Sequence, residues 1–458
     1  MNEEIAKNPL GTEPVAKLVI QFAIPSVVAM VVSSLYNMVD QVFIGRGVGY
    51  MGNAATNIIM PLTFMVMALS LMVGNGAATF MNLELGKQNE RKAAKGVGNM
   101  IGITVFIGLL LFALFETFMI PLCRLFGGQG EVLMYALDYG RIIAVGTPFA
   151  AMSTSFASII RADGRPRQSM TGMLIGCFSN MLLDPLFIFV FGWGVKGAAW
   201  ATVIGQVLNA LFFFWCLRHF QSVRLTKDCF VPDFKTSVRI CVLGLSSFLT
   251  QIATVFVVAI QNNLLVGYGA LSKYGPDITL AAFGITMKAS QLIMSIALGI
   301  ATGVQPVISY NYGARLDKRV KQAFRFSLTA CEAIMFFALF VFQVFPERIV
   351  LLFGHESELY MEFAIKCFRI YLVMVWAIPM SMGPGIFFQA VGRPVPAAVL
   401  SLFRQIIILV PVSFLFGYLF GVEGLLWAGA TGDFSAAVIS VTTLALRWKD
   451  IFKDPDQR

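Results

Sequence analysis

Long apolar runs, each of about twenty residues or more, follow one another from residue 18 to residue 446, separated by short polar stretches. Runs of this length match the hydrocarbon thickness of a bilayer and exceed what an amphipathic soluble helix needs. They fall near 18–44, 52–82, 96–119, 131–160, 168–191, 197–217, 240–265, 278–308, 323–345, 358–388, 395–419 and 423–446. The pattern predicts an all-α integral membrane protein with twelve transmembrane helices. Pro25, Pro61, Pro148, Pro185, Pro306, Pro379, Pro384 and Pro411 lie inside runs, where the backbone groups they free need other partners. Gly383-Pro384-Gly385 is expected to break the tenth helix.

The pattern also repeats. Gly164-Arg165-Pro166 returns as Gly392-Arg393-Pro394, and Gly197-Ala-Ala-Trp200 returns as Gly424-Leu-Leu-Trp427. Gly86 and Gly313 match likewise, each followed by a basic cluster. The offset spans six helices, an even number, so the two halves keep one orientation in the membrane. Two six-helix lobes related by a pseudo-two-fold axis along the membrane normal follow from this. The expected division is a tail at 1–17, an N-lobe at 18–217 and a linker at 218–239. A C-lobe at 240–446 and a tail at 447–458 complete it.

Charge sets the orientation. With both termini inside, the inner tails and loops hold twenty-four Lys and Arg, and the outer loops only Arg46, Arg124, Lys196, Lys273 and Arg348. By the positive-inside rule both termini are cytoplasmic. The net charge of +9 is therefore topological, and nucleic acid is excluded as a partner because no continuous basic patch exists. Composition agrees: 57% of residues are hydrophobic and 13% charged, about half the charge of a soluble domain. No signal peptide is expected at the N-terminus. The seven cysteines form no CxxC pair and read as reduced apolar fillers. His219 and His355 both fall in loops.

Against this apolar background, ionisable residues inside the runs carry the chemistry, because a carboxylate at membrane depth costs roughly 2.5–3.5 kcal/mol. At about 1.5 Å per residue, Asp40 in the first helix and Asp184 in the fifth lie in the outer half, and Thr202 in the sixth at a similar level. Asn180 shares a face with Asp184, and Tyr36 and Asn37 share a face with Asp40. An oxygen-rich group of this kind holds Na⁺, or a proton shared by the two carboxyls. The repeat drops both acids, placing Asn262 opposite Asp40 and Val410 opposite Asp184, so the pair reads as functional rather than structural. Pro25 is the expected hinge of the first helix. In the second half, Lys288, Glu332, Arg404 and Asp433 fall near mid-depth and read as a mutually paired network.

At this point the chain resembles the multidrug and toxic compound extrusion (MATE) family across nearly its whole length. The resemblance rests on the two six-helix halves and on YNMVDQVFIG (36–45), SNMLLDPLFIF (179–189), GAAWATVIGQ (197–206) and QPVISYNYGA (305–314). It implies a secondary transporter of the bacterial plasma membrane, exporting organic cations or drugs by alternating access against inward H⁺ or Na⁺. It also implies a cation-coupling set of Asp40, Asn180, Asp184 and Thr202. H⁺ is the preferred coupling ion, with Na⁺ possible, and no further cofactor and a monomer in lipid are expected. Another branch of the family carries acids in the seventh and tenth helices. Here 241–265 and 371–390 have none, which favours coupling in the N-lobe and is most similar to the bacterial MepA-like branch.

Two other classes fit the sequence less well. A lipid-linked oligosaccharide flippase needs several cleft cations for pyrophosphate, and only Lys288 and Arg404 offer themselves. An intramembrane enzyme lacks support, since HExxH, GxSxG, Walker A and a membrane-depth histidine are all absent.

Overall fold

The computed structural model describes residues 8–353 and 357–453. Lys7, His355 and Arg458 lie outside the described residues. The described residues are predominantly helical: α1 (Val15–Gly47), α2 (Tyr50–Gly86), α3 (Glu90–Leu125), α4 (Gly130–Ala162), α5 (Pro166–Val190) and α6 (Gly194–Arg218) form the first lobe. A 3₁₀ turn at Lys227–Phe230 interrupts the linker, and α7 (Phe234–Ala270), α8 (Gly275–Gly313), α9 (Asp317–Val344) and α10 (Glu358–Ala390) follow. The last apolar stretch, Pro394–Ile451, is parted at Gly421, whose φ of 64° separates α11 (394–420) from α12 (422–451). Only helices satisfy every backbone group within one lipid-exposed segment, so runs this apolar have no open-sheet alternative. At 33 residues α1 is about 50 Å long, more than the hydrocarbon core, so it projects beyond it or tilts.

The tenth helix corrects one expectation. Its break lies at residues 372–377, where a turn and a 3₁₀ segment (Val375–Ala377) interrupt it, and Gly383-Pro384-Gly385 runs inside the helix Ile378–Ala390. Pro379 explains the position, because proline is accommodated in a helix's first turn, where its missing N–H has no partner to lose. Around Pro384, hydroxyls occupy the turn: Ser381 Oγ donates to the Ile378 carbonyl at 2.9 Å, and Ser440 Oγ of α12 to the Ser381 carbonyl at 3.0 Å. Pro25 likewise sits within one continuous α1. Local π-helix appears where α5 passes Pro185 (Leu186–Val190) and where α11 approaches Pro411 (Phe403–Leu409).

The internal repeat is written in the backbone itself. Among the described residues two non-glycine residues adopt positive φ, Gln88 at 63° and Arg315 at 62°, and they occupy the same turn of the two lobes. Gly164 and Gly392 (83° and 74°) pair in the same way, as do Gly194 and Gly421 (55° and 64°). Each matched pair is about 227 residues apart, so the turns as well as the helices are duplicated.

The lobes meet at the end of the bundle that carries both termini. There α1 packs on α8, and α2 on α7 and α8. Gly86 and Gly313 cross reciprocally: a Cβ on Gly86 would collide with the Tyr310 carbonyl, and one on Gly313 with the Leu83 carbonyl. The N-terminal segment is tied down alongside, with Arg319 Nη2 donating to the carbonyls of Glu13 and Leu10 at 2.6 and 3.2 Å. One apolar cluster runs through both lobes at this end, including Leu18, Phe22, Met81, Val307 and Phe387. At the other end each lobe keeps a cluster of its own, around Ile59, Phe115 and Val203 in the first and Leu265, Phe363 and Leu426 in the second. A shared core at one end and separate cores at the other define a cleft that opens away from the termini.

Candidate cation-coupling site

α1, α4, α5 and α6 converge in the first lobe beside this cleft. Asp184 is fully buried and Asn180 nearly so, while Asp40 on α1 is partly accessible. With its amide turned to suit its neighbours, Asn180 donates from Nδ2 to Asp184 Oδ2 at 2.7 Å. Its Oδ1 accepts from the Thr202 backbone N–H at 3.0 Å and from Thr202 Oγ1 at 3.1 Å. The side chains of Asp40 and Asp184 hydrogen-bond directly across α1 and α5. Two carboxyls in such contact are an arrangement that can share one proton. No ion pair among the described residues involves either acid. The Oδ1 atoms of Asp40 and Asp184 are both buried without a hydrogen-bond partner among the described residues. These are spare acceptors, fit for a proton or a small hard cation.

Two tyrosines close the site. Tyr36 stands one turn below Asp40, beside both acids and Cys177. Tyr139 of α4, which sequence reasoning missed, is buried next to both acids, and its side chain hydrogen-bonds Thr202. No sequence signal marked it, since tyrosine is unremarkable in a membrane helix and the facing of α4 depends on packing. Asn37 does not join the group. It is exposed and donates to the Ser33 carbonyl of its own helix at 2.8 Å. Pro25 is buried in α1 well toward the termini end, close to where Val27 packs against Gly299 of α8.

The second lobe departs from the expected four-charge network. Arg404 pairs with Asp433, its Nε and Nη2 reaching Oδ1 at 3.2 and 3.1 Å. Glu332 and Lys288 stay out. Both Glu332 oxygens are buried with no hydrogen-bond partner among the described residues, and Lys288 is exposed on α8 without an ion pair. Depth alone misled here: Glu332 sits on α9, beside α8 and α10 and away from the α11–α12 seam, and Lys288 is exposed on α8.

Two like-oriented six-helix lobes enclosing a cleft, with oxygen ligands gathered at membrane depth in one of them, define a multi-pass membrane transporter. The MatE family model matches residues 25–186 and 246–415, one segment in each half. The chain belongs to the MatE family, the multidrug and toxic compound extrusion transporters. It is 26% identical to the multidrug export protein MepA of Staphylococcus aureus (strain MSSA476) over 420 residues, covering 91% of this chain and 90% of that protein. It is 25% identical to the MepA of Staphylococcus saprophyticus over 427 residues, 90% of each chain. Among solved structures, one described as the outward-facing conformation of a multidrug resistance MATE family transporter superposes with a TM-score of 0.91. It shares 22% identity and covers 99% of this chain and all of its own.

Proposed function

We propose that this chain is an antiporter that exports drugs and organic cations from a bacterial cell, driven by protons entering through Asp40 and Asp184, with Na⁺ as the alternative coupling ion. The observation that carries this reading is the direct Asp40–Asp184 hydrogen bond, present in one lobe and unmatched in the other. With the termini in the cytoplasm, the joined end of the lobes faces inward and the cleft opens outward. In that state the pair takes up a proton from outside. Protonation removes the negative charge that would hold a cationic substrate in the cleft, and the substrate leaves. Rocking of the lobes then exposes the pair to the cytoplasm, where proton loss restores the charge for the next substrate. Asn180 and Thr202 hold Asp184 in place through both steps. A Na⁺ ion would use the same carboxylate, amide and hydroxyl oxygens.

The reading makes this chain a carrier rather than an enzyme, acting as a monomer in the plasma membrane. A pyrophosphate-lipid flippase is disfavoured by the Arg404–Asp433 pair, which occupies one of the two cations such a role needs. Dye-cation efflux from proteoliposomes, under separately imposed pH and Na⁺ gradients, tests the proposal. Efflux that follows the pH gradient supports it, and efflux that ignores pH and follows Na⁺ replaces the proton by the sodium ion.

A further inference from the structure

At the joined end, between the lobes, lies a small polar cavity with room for the centre of a water-sized sphere over about 10 Å³. That suffices for one water or one ion of similar radius. Asn75, Asn82, Ser158 and Arg161 line it from the first lobe, and Gln305 and Ser309 from the second. Arg161 is 7% exposed and makes no ion pair among the described residues. Its guanidinium has one hydrogen bond, from Nη2 to Ser158 Oγ at 3.4 Å. The remaining N–H donors meet no protein acceptor among the described residues. The acids two residues beyond Asn82 and Arg161 are committed elsewhere, Glu84 to Lys87 at 2.9 Å and Asp163 to Arg165 at 2.6 Å.

A buried guanidinium without a counter-charge is costly, because desolvation is not repaid by any partner. Yet the surroundings are built to hold it. Ser158 Oγ donates to Asn75 Oδ1 at 2.9 Å, and Asn75 Nδ2 donates to Ser247 Oγ of α7 at 3.1 Å. Gln305 Nε2 of α8 donates to Thr79 Oγ1 of α2 at 3.0 Å. The polar chain therefore crosses from one lobe to the other around the cation. Asn82 Nδ2 donates to the Ala78 carbonyl of its own helix at 3.2 Å, and its Oδ1 faces no donor among the described residues.

We infer that this cavity is a binding site for a small monovalent anion of the halide class, held by Arg161 and the amide of Gln305, which fastens the two lobes at the joined end. No contact of the Asp40–Asp184 site is involved. The anion sits on the seam and interacts with both lobes only while the seam is shut, so it favours the conformation whose cleft opens away from the termini. The effect on transport rests on the alternating-access reading; binding itself does not.

The test uses the full chain purified in detergent, titrated with sodium chloride against sodium gluconate at constant Na⁺. The expected result is a saturable rise in apparent Tm with chloride, lost in Arg161→Gln and partly kept in Arg161→Lys. Since Arg161→Gln removes a buried group and puts folding at risk, crystals of the unsubstituted chain grown in bromide supply the second measurement. Anomalous density beside the Arg161 guanidinium is expected. Equal melting in chloride and gluconate, a chloride response unchanged in Arg161→Gln, or a cavity holding water without bromide would each overturn the inference. None of these readouts depends on drug efflux, so failure of the antiporter reading would leave them interpretable.

Discussion

Asp40 on α1 and Asp184 on α5 are hydrogen-bonded through their side chains, and the second of them is anchored by Asn180, which is anchored in turn by Thr202. The order matters. Asp184 is held by the lobe's interior, whereas Asp40 belongs to the helix that also packs on the opposite lobe through Ser34 and Ser295. A change in charge at the pair therefore acts between a fixed wall and a helix that touches both lobes.

Tyr139 separates this site from a simple pair of acids. Its side chain holds Thr202, so Tyr139→Phe removes one buried hydrogen bond, worth about 1 kcal/mol. We expect gradient-driven efflux to fall about fivefold, with insertion unchanged. Asn37→Ala, one turn from Asp40 but bonded only to its own helix, should stay within about twofold of the unsubstituted protein. Efflux assays on the two variants side by side check the assignment, and a larger loss in Asn37→Ala would reverse it.

The position of Asn37 shows how far the sequence carried the site. Asp40, Asn180, Asp184 and Thr202 were legible because each interrupts an apolar run, and helical rise puts them at one level. Facing is harder to read. Residues three and four positions from Asp40 lie about 60° and 40° from it around the helix, and only the nearer one, Tyr36, reaches the acids. The second lobe repeats the lesson, since four charges at one depth proved to lie on different seams. The twelve helices and their duplication were legible from apolar length and matched motifs. The break in α10 was not, because two prolines five residues apart compete for it and the first-turn position decides.

Closure of the joined end rests on glycine at two matched places. Gly86→Val and Gly313→Val each drive a side chain into a carbonyl of the opposite lobe. We expect either variant to insert normally but to lose most transport, and a cysteine placed near Leu83 to become reactive toward a polar thiol reagent added from the termini side. Unchanged labelling together with normal efflux would remove the seam from the account.

The Arg404–Asp433 pair is mostly buried, at 14% and 23% side-chain exposure. Breaking it in Asp433→Leu leaves a guanidinium without its partner and should cost about 2–3 kcal/mol, seen as a lower Tm in detergent. The double variant Arg404→Met/Asp433→Leu should recover most of that loss. Recovery of drug efflux in parallel would mark the pair as structural, whereas a stable double variant without efflux would give it a part in transport.

The central claim is that the Asp40–Asp184 pair couples ion entry to drug exit. The most direct measurement is dye-cation efflux from proteoliposomes carrying Asp40→Asn or Asp184→Asn, with an imposed pH gradient and matched protein content. Efflux at the level of empty vesicles is expected for both, since neither variant retains a carboxyl pair able to exchange a proton. Full gradient-driven efflux by both variants would contradict it.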